Sequence, residues 1–312
     1  MEKLITLPRV SLRQLAYFVA VADTGTLSGA AERMRVSQSA VSLALGDLER
    51  VLRVQLCVRR KAHGITLTPS GRNVLRQARE LLHQADELEA SASGAEGELS
   101  GVLVVGGYVT LAPTVLLPLM QGFGALHPGL AIDFAEGTQD TLEPRILSGE
   151  LDLAVMYHMD LSPRTARTVL FTLRPHALLP ADHPLVDRLS VSLHDLESEP
   201  MVLLDAPPSS HHTLALCERA GVVPLVRYRT STLEMARALV GRGMGYCLLV
   251  TRPPNDRTYE GLRVVPKEIA EPAEEALVVL AWPREARLSR QAREFVRFCQ
   301  DNLHLVRMPR PE

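Results

Sequence analysis

The chain is poor in the features that mark secreted or membrane proteins. Of its 312 residues only four are cysteines, at 57, 217, 247 and 299, widely scattered and with no CxxC pair. That spacing argues against a disulfide scaffold and a cysteine zinc site, and it fits a reducing compartment. No apolar run approaches the ~20 residues that a membrane-spanning helix needs. The first charges of the N-terminus are not followed by the apolar segment of a secretory leader. A cytoplasmic protein with no membrane partner is therefore expected.

Catalytic signals are equally scarce. No Gly-x-Ser-x-Gly turn is present to raise a nucleophilic serine. Asp205, Ser209, Ser210, His211 and His212 have the residue types of a triad but crowd together in one short stretch. A triad needs separated supports aimed at one point. His211 and His212, with Cys217, are weak metal ligands, because adjacent side chains point apart and no third ligand is evident. The glycines at 241, 243 and 245 follow a helical stretch and precede a strand, the reverse of a dinucleotide fingerprint. These readings predict no enzyme, no metal and no cofactor.

What is present is charge asymmetry. Residues 1–79 hold 13 Lys+Arg against 5 Asp+Glu, a net of +8, whereas residues 80–312 hold 21 against 31, a net of −10. A basic module joined to an acidic one is the footprint of nucleic-acid binding confined to one end. Within the basic part, Thr26 can cap a helix carrying Leu27, Ala30, Ala31 and Met34 on one face. After a turn at Arg35, Val36 and Ser37, a second helix turns Ala40, Val41, Ala44, Leu45 and Leu48 inward. Gln38, Ser39 and Ser42 then lie outside near the positive helix end, suited to phosphates and base edges. An earlier helix over 11–22 offers Leu12, Leu15, Phe18, Val19 and Ala22 as a third packing face. Basic Arg59, Arg60, Lys61 and His63, then Gly64 and the β-prone run 65–68, suggest a wing reaching the phosphate backbone. A plain three-helix bundle with a solvated basic loop is the alternative.

The segment resembles the LysR-type bacterial transcriptional regulators. The match runs through Ala30-Ala31, Ser37-Gln38, Val41-Ser42 and Leu48-Glu49, then Leu56, Arg59 and the run 66–71. Arg53 and Cys57 depart from the glycine and phenylalanine usual there. The resemblance implies DNA contacts from Thr26, Arg35, Ser37, Gln38, Ser39, Val41, Ser42, Arg59 and Arg60. It further implies double-stranded operator DNA as a partner and a homo-oligomer, a dimer or a tetramer of linker-helix dimers.

Over Pro69–Ala92, residues Val74, Ala78, Leu81, Ala85, Leu88 and Ala92 step by four and three, a heptad seam that needs a partner helix. A small, polar joint follows over 93–101. Beyond it the texture alternates. Strands are expected at 102–106, 131–135 and 152–156, with helices at 114–126 and 141–148, a βαβαβ unit. A second such pattern spans 166–266, with strands at 201–204, 225–230 and 246–250 and helices at 211–220 and 232–242. The strand 276–282 and an amphipathic helix over 289–303 close the chain. Leu117-Pro118, Phe123, Pro128, Leu147 with Gly149, 151–154 and 183–185 extend the family resemblance to a two-lobed effector domain like periplasmic binding proteins.

The expected fold is α/β overall: a mostly α winged helix-turn-helix over 1–68, a linker helix over 69–93 and an effector domain over 94–312. Lobe I would take about 101–160 and 269–305, and lobe II about 161–268. Ligands in such sheets sit at the carboxyl ends of strands. The candidate effector residues are therefore Gly107, Tyr108, Val109, Thr110, Thr138, Gln139, Tyr157, Asp205, Ala206, Ser231 and Thr232, a set suggesting an anionic or strongly polar small molecule. Asp205 either pairs with a ligand amine or caps the turn before Pro207. The whole reads as an effector-responsive operator-binding regulator. A two-lobed small-molecule binding protein without regulatory DNA binding is the alternative.

Overall fold

Three hydroxyls begin the first three helices. Ser11, Thr26 and Ser37 each have extended backbone and accept from the amide three residues on, so α1 (Leu12–Thr24), α2 (Leu27–Met34) and α3 (Gln38–Leu52) start with a donor satisfied. These features come from a computed structural model that describes residues 8–60, 64–92 and 99–306, without the side chains of 59, 60, 86, 87 and 89–92. Lys61 and His63 of the expected wing lie outside the described residues.

Phe18, Val21, Ala30, Val41, Leu45 and Leu48 form the buried centre of the helical module. Leu12, expected there, is half exposed because it is the first residue of α1, beyond the crossing with α2 and α3. An antiparallel hairpin, β1 (Cys57–Arg60) with β2 (Gly64–Leu67), follows as the wing. Gly64 has a φ of 71°, and a Cβ there would stand 2.6 Å from the Gly25 carbonyl, so only glycine lets the hairpin pack on the α1–α2 turn. Arg53 takes the left-handed cap of α3 (φ 54°) without glycine, and its amide donates to the carbonyls of Glu49 and Arg50. Cys57 is buried in the module's core.

Helix α4 (Pro69–Ala92) packs Leu75 and Ala78 onto the helical module, while Leu81 and Leu88 are 48% and 69% exposed. The heptad seam thus divides between two surroundings. Arg79 joins three elements: it pairs with Asp23 of α1 and donates to the Ser148 carbonyl (3.0 Å).

Beyond α4 two sheets form. In the first the strand order is β4 (Leu130–Gly137), β3 (Gly101–Tyr108), β5 (Leu153–Tyr157), β13 (Ala276–Pro283), β6 (Thr165–Leu173). β3 runs parallel to β4 and β5, and β13 is antiparallel to β5 and β6. A π-helical turn (Ala112–Leu116), α5 (Leu117–Leu126), α6 (Gln139–Leu147) and α9 (Arg290–Asp301) accompany this sheet. The second has the order β11 (Cys247–Leu249), β7 (His176–Pro180), β12 (Val264–Ile269), β8 (Ser190–Val191). A parallel pair, β9 (Pro200–Leu204) with β10 (Leu225–Thr230), joins it through a bridge between Met201 and Tyr246. Helices α7 (Ser209–Arg219) and α8 (Leu233–Gly241) belong here. Strand β6, expected in the second lobe, hydrogen-bonds to β13 at the edge of the first sheet, so the chain crosses between sheets after Leu173 and again after Ile269.

Asp152, immediately before β5, accepts from the Val104 amide at 2.8 Å. Burial raises its carboxyl above the usual range, opposed by that amide and by His83 and Arg79 of α4.

The Glu49 carboxylate, on the last turns of α3, accepts from the amides of Leu56 (2.7 Å) and Cys57 (3.1 Å) and so ties the wing to the third helix. Glu49→Ala strands both amides and is expected to cost about 2–3 kcal/mol, read as a lower urea midpoint by circular dichroism. Glu49→Gln keeps an acceptor and should cost clearly less.

Candidate functional site

Two sites follow from this architecture. At the N-terminal end, Gln38 and Ser39 occupy the exposed first turn of α3, and Ser42 is half-buried one turn later. The Ser37 hydroxyl accepts from the Ala40 amide (3.2 Å) and lies 2.9 Å from that of Ser39. Ser37 therefore builds the helix start as well as facing outward. Thr26 does the same for α2, accepting from Gly29 at 3.0 Å. Arg35 is exposed, in a left-handed conformation (φ 52°) that ends α2. Arg59 and Arg60 fall on β1 opposite Ile65 and Gly64. Val41 is a correction: it is fully buried against the helical core and cannot meet a partner. The apolar stripe of α3 needs that position.

The second site lies where the two sheets face each other, a cavity of about 20 Å³, room for about one water molecule. Three buried hydroxyls that bond to one another line one side of it. Thr110 is 3.2 Å from the Tyr157 hydroxyl and 3.1 Å from that of Thr251, and Tyr157 and Thr251 are themselves hydrogen-bonded. Beside them Tyr108 donates to the Ala206 carbonyl (2.7 Å) and meets the Ser209 hydroxyl (3.0 Å). The two tyrosine rings pack edge to face with centroids 5.1 Å apart. Burial pushes both phenols above their ordinary range, so they stay neutral. Ser209, His212 and Thr213 of α7 line the other side. His212 is held below the usual imidazole range, chiefly by burial and next by Arg219, and its Nε2 is buried without a partner.

Of the expected effector residues, Thr110 and Tyr157 line the cavity, and Tyr108 and Ala206 close it by their mutual bond. Gln139 is buried just outside. Its side-chain amide donates to the Met159 carbonyl while Oε1 has no partner. The remaining residues lie outside the cavity lining. Gly107 packs against Ala112 and Leu116, where a Cβ would not fit. The Val109 amide donates to the Gly137 carbonyl (3.0 Å). Thr138 precedes α6 with its hydroxyl 3.4 Å from that of Thr141. Asp205 is exposed and pairs with Arg229 (3.4 Å), away from the cavity lining. Ser231 and Thr232 are exposed, and Thr232 caps α8 through the Met235 amide.

Thr251, His212, Thr213, Ser209 and Met159 were missed as lining residues. Thr251 stands two residues past β11, the same kind of strand-end position as Thr110 after β3, so that rule extended to one more strand would have found it. The lining carries no Lys or Arg, so it offers no fixed positive charge to the anionic or strongly polar molecule expected there. Near Ser209 no triad assembles: its hydroxyl meets Tyr108, and His211 pairs with Asp160 (3.1 Å) at the surface. Among the described residues no cluster of metal-binding side chains occurs.

Cys217 and Cys247 are buried, and burial pushes their thiols up to about 11 and about 12. Cys299 is raised by the same cause.

Comparison with known proteins agrees with both halves. Residues 12–72 match the family of bacterial regulatory helix-turn-helix proteins of the lysR family, and residues 96–304 match the LysR substrate binding domain. A probable hydrogen peroxide-inducible genes activator of Mycobacterium avium is 32% identical over 240 residues, covering 75% of this chain and 76% of that protein. The crystal structure of the C-terminal domain of a probable LysR family regulator from Rhodococcus sp. RHA1 is 48% identical, with a TM-score of 0.63, covering 64% of this chain and 99% of that one. HinK, a LysR family transcriptional regulator from Pseudomonas aeruginosa, is 37% identical with a TM-score of 0.63, covering 94% and 99%. The chain belongs to the LysR family: it is a transcriptional regulator with an N-terminal DNA-binding helix-turn-helix and a C-terminal effector-binding domain.

Proposed function

We propose that α3 enters the major groove of operator DNA with Gln38, Ser39 and Ser42 toward the base edges, while Arg35, Arg59 and Arg60 take phosphates. The observation that carries this is the exposed, polar first turn of α3, fixed to the wing by Glu49. Thr26 and Ser37 position the two helices by capping them, and the positive ends of α2 and α3 suit phosphate oxygens. The unit divides into the helix-turn-helix module to residue 68, the linker helix over 69–93 and the effector domain from 94. Lobe I takes 101–173 and 276–305, and lobe II takes 176–269, in keeping with the strand pairing.

Exposed Leu81 and Leu88 on α4 are the apolar steps that a second copy covers, so the protein works as a homo-oligomer. Paired modules then read half-sites about one helical turn apart. The effector binds between the sheets at Thr110 and Tyr157, and its preference for one arrangement of the lobes shifts the arrangement of the DNA-binding heads. The protein acts in the cytoplasm as a regulator and not as an enzyme.

Several relatives are named for hydrogen peroxide. Here the thiols at 217, 247 and 299 are buried and their acidity is suppressed, which supports a non-covalent effector over thiol chemistry.

Replacing Gln38 and Ser42 together with alanine is expected to weaken binding to wild-type-selected duplexes by roughly 100-fold or more, since a good base contact is worth about 1–3 kcal/mol. Fluorescence anisotropy measures this, and light scattering should show the oligomer unchanged. Full affinity in the double variant would remove α3 from the interface. The suppressed acidity of the buried thiols also predicts slow alkylation. In native protein near pH 8, Cys217 should be alkylated by iodoacetamide roughly 100-fold more slowly than in urea, and Cys247 more slowly still, as followed by peptide mass spectrometry.

A further inference from the structure

The lining of the interlobe cavity restricts what can occupy it. Apolar side chains, among them Leu204, Leu216, Leu233, Leu248 and Val250, supply most of its wall, and the polar side chains are hydroxyls plus one imidazole. No lining side chain carries a fixed positive charge. Carboxylate or phosphate entering such a space loses its hydration without gaining an ion pair, a cost of several kcal/mol that shifts binding toward uncharged molecules. The feature best suited to an anion is the start of α7, but its first amide is spent on the Ala206 carbonyl (2.8 Å). The Asp160 carboxylate already stands against His211 in that same turn.

Polar capacity at the wall is nonetheless unfilled. His212 lines the cavity, and its Nε2 is buried with no hydrogen-bond partner. Such an atom costs free energy until something bonds to it. The Thr110, Tyr157 and Thr251 hydroxyls now satisfy one another. They can rotate to donate to, or accept from, an incoming group instead. A guest larger than water must part the lobes, and it replaces hydroxyl–hydroxyl bonds with bonds to itself.

We infer that the effector is a neutral, largely apolar small molecule with a hydrogen-bonding group, held by His212 and the Thr110, Tyr157 and Thr251 hydroxyls, and that carboxylates are rejected. This rests on the reading that the interlobe cavity is the effector site. Burial also keeps His212 uncharged near neutral pH, so the imidazole does not become an anion partner.

The test uses the full-length protein and three matched probe pairs: phenol with benzoate, indole with indole-3-carboxylate, and 1-hexanol with hexanoate. Thermal shift and calorimetry are run on wild type, on Met159→Trp and Leu233→Trp, which fill the cavity from half-buried positions, and on His212→Gln. At least one neutral probe should stabilise wild type and bind roughly 100-fold more tightly than its acid partner. Both tryptophan variants should abolish that binding, and His212→Gln should weaken it roughly tenfold. Tighter binding of the acids, lost in the tryptophan variants, overturns the ligand class while leaving the site intact. Binding that survives both tryptophan substitutions overturns the site itself. If no neutral probe binds saturably to wild type, the inference fails as well.

Discussion

Hydroxyls joining the two sheets are the constraint from which the rest of the effector half follows. Thr110 and Tyr157 come from the first sheet's strand ends and Thr251 from the second, while Tyr108 reaches the Ala206 carbonyl. Each bond contributes only about 1 kcal/mol net when made. Breaking one without replacement leaves buried polar atoms at about 1–3 kcal/mol apiece. The lobes are therefore closed by groups that tolerate separation only if something else satisfies them. That condition turns an ordinary interface into one a small molecule can govern.

The DNA-binding half has its own rigid joint. The Glu49 carboxylate fixes the start of β1 to α3, Thr68 bonds to the Gln55 carbonyl (2.7 Å), and the Ile65 amide donates to the Gly25 carbonyl (2.7 Å). Helix and wing thus move as one body, and a change in DNA affinity has to come from the placement of whole modules. Helix α4 is the element in a position to change that placement, because one stretch of it packs on the module and the next presents leucines to solvent.

Much of this was legible in the sequence, for physical reasons that also explain the failures. Thr26 was readable as a cap because a hydroxyl before an apolar-periodic run has one common use, whereas Ser37, read as part of the turn, proved to cap α3. The buried strands β3 and β5 were readable as short apolar runs in a βαβ order. Residues 165–173 were placed in the second lobe with no strand named there, and β6 pairs instead with β13, a neighbour across the chain that local pattern does not show. Strand-end logic picked Thr110 and Tyr157, which line the cavity, and also Asp205, Ser231 and Thr232, which do not. Position after a strand does not say whether a side chain turns toward the cleft or toward solvent. His212 was passed over because the sequence offered only metal and triad roles for it. Its buried, unpartnered nitrogen is a fact of three dimensions.

One strand links the two ends of the molecule. Asp152, before β5, faces the charges of α4, and Tyr157, the last residue of β5, meets the hydroxyl cluster. The five residue steps between them span about 17 Å, and the strand is laddered to β3 on one side and β13 on the other. A strand held on both edges cannot slide along its own axis without breaking both ladders at once. Motion at Tyr157 must therefore reach the linker as a tilt of the whole sheet, a lever whose far end is a carboxyl beside Arg79 and His83. In the proposed mechanism, the stiffness of that lever sets the smallest displacement in the cleft that the DNA-binding heads can feel.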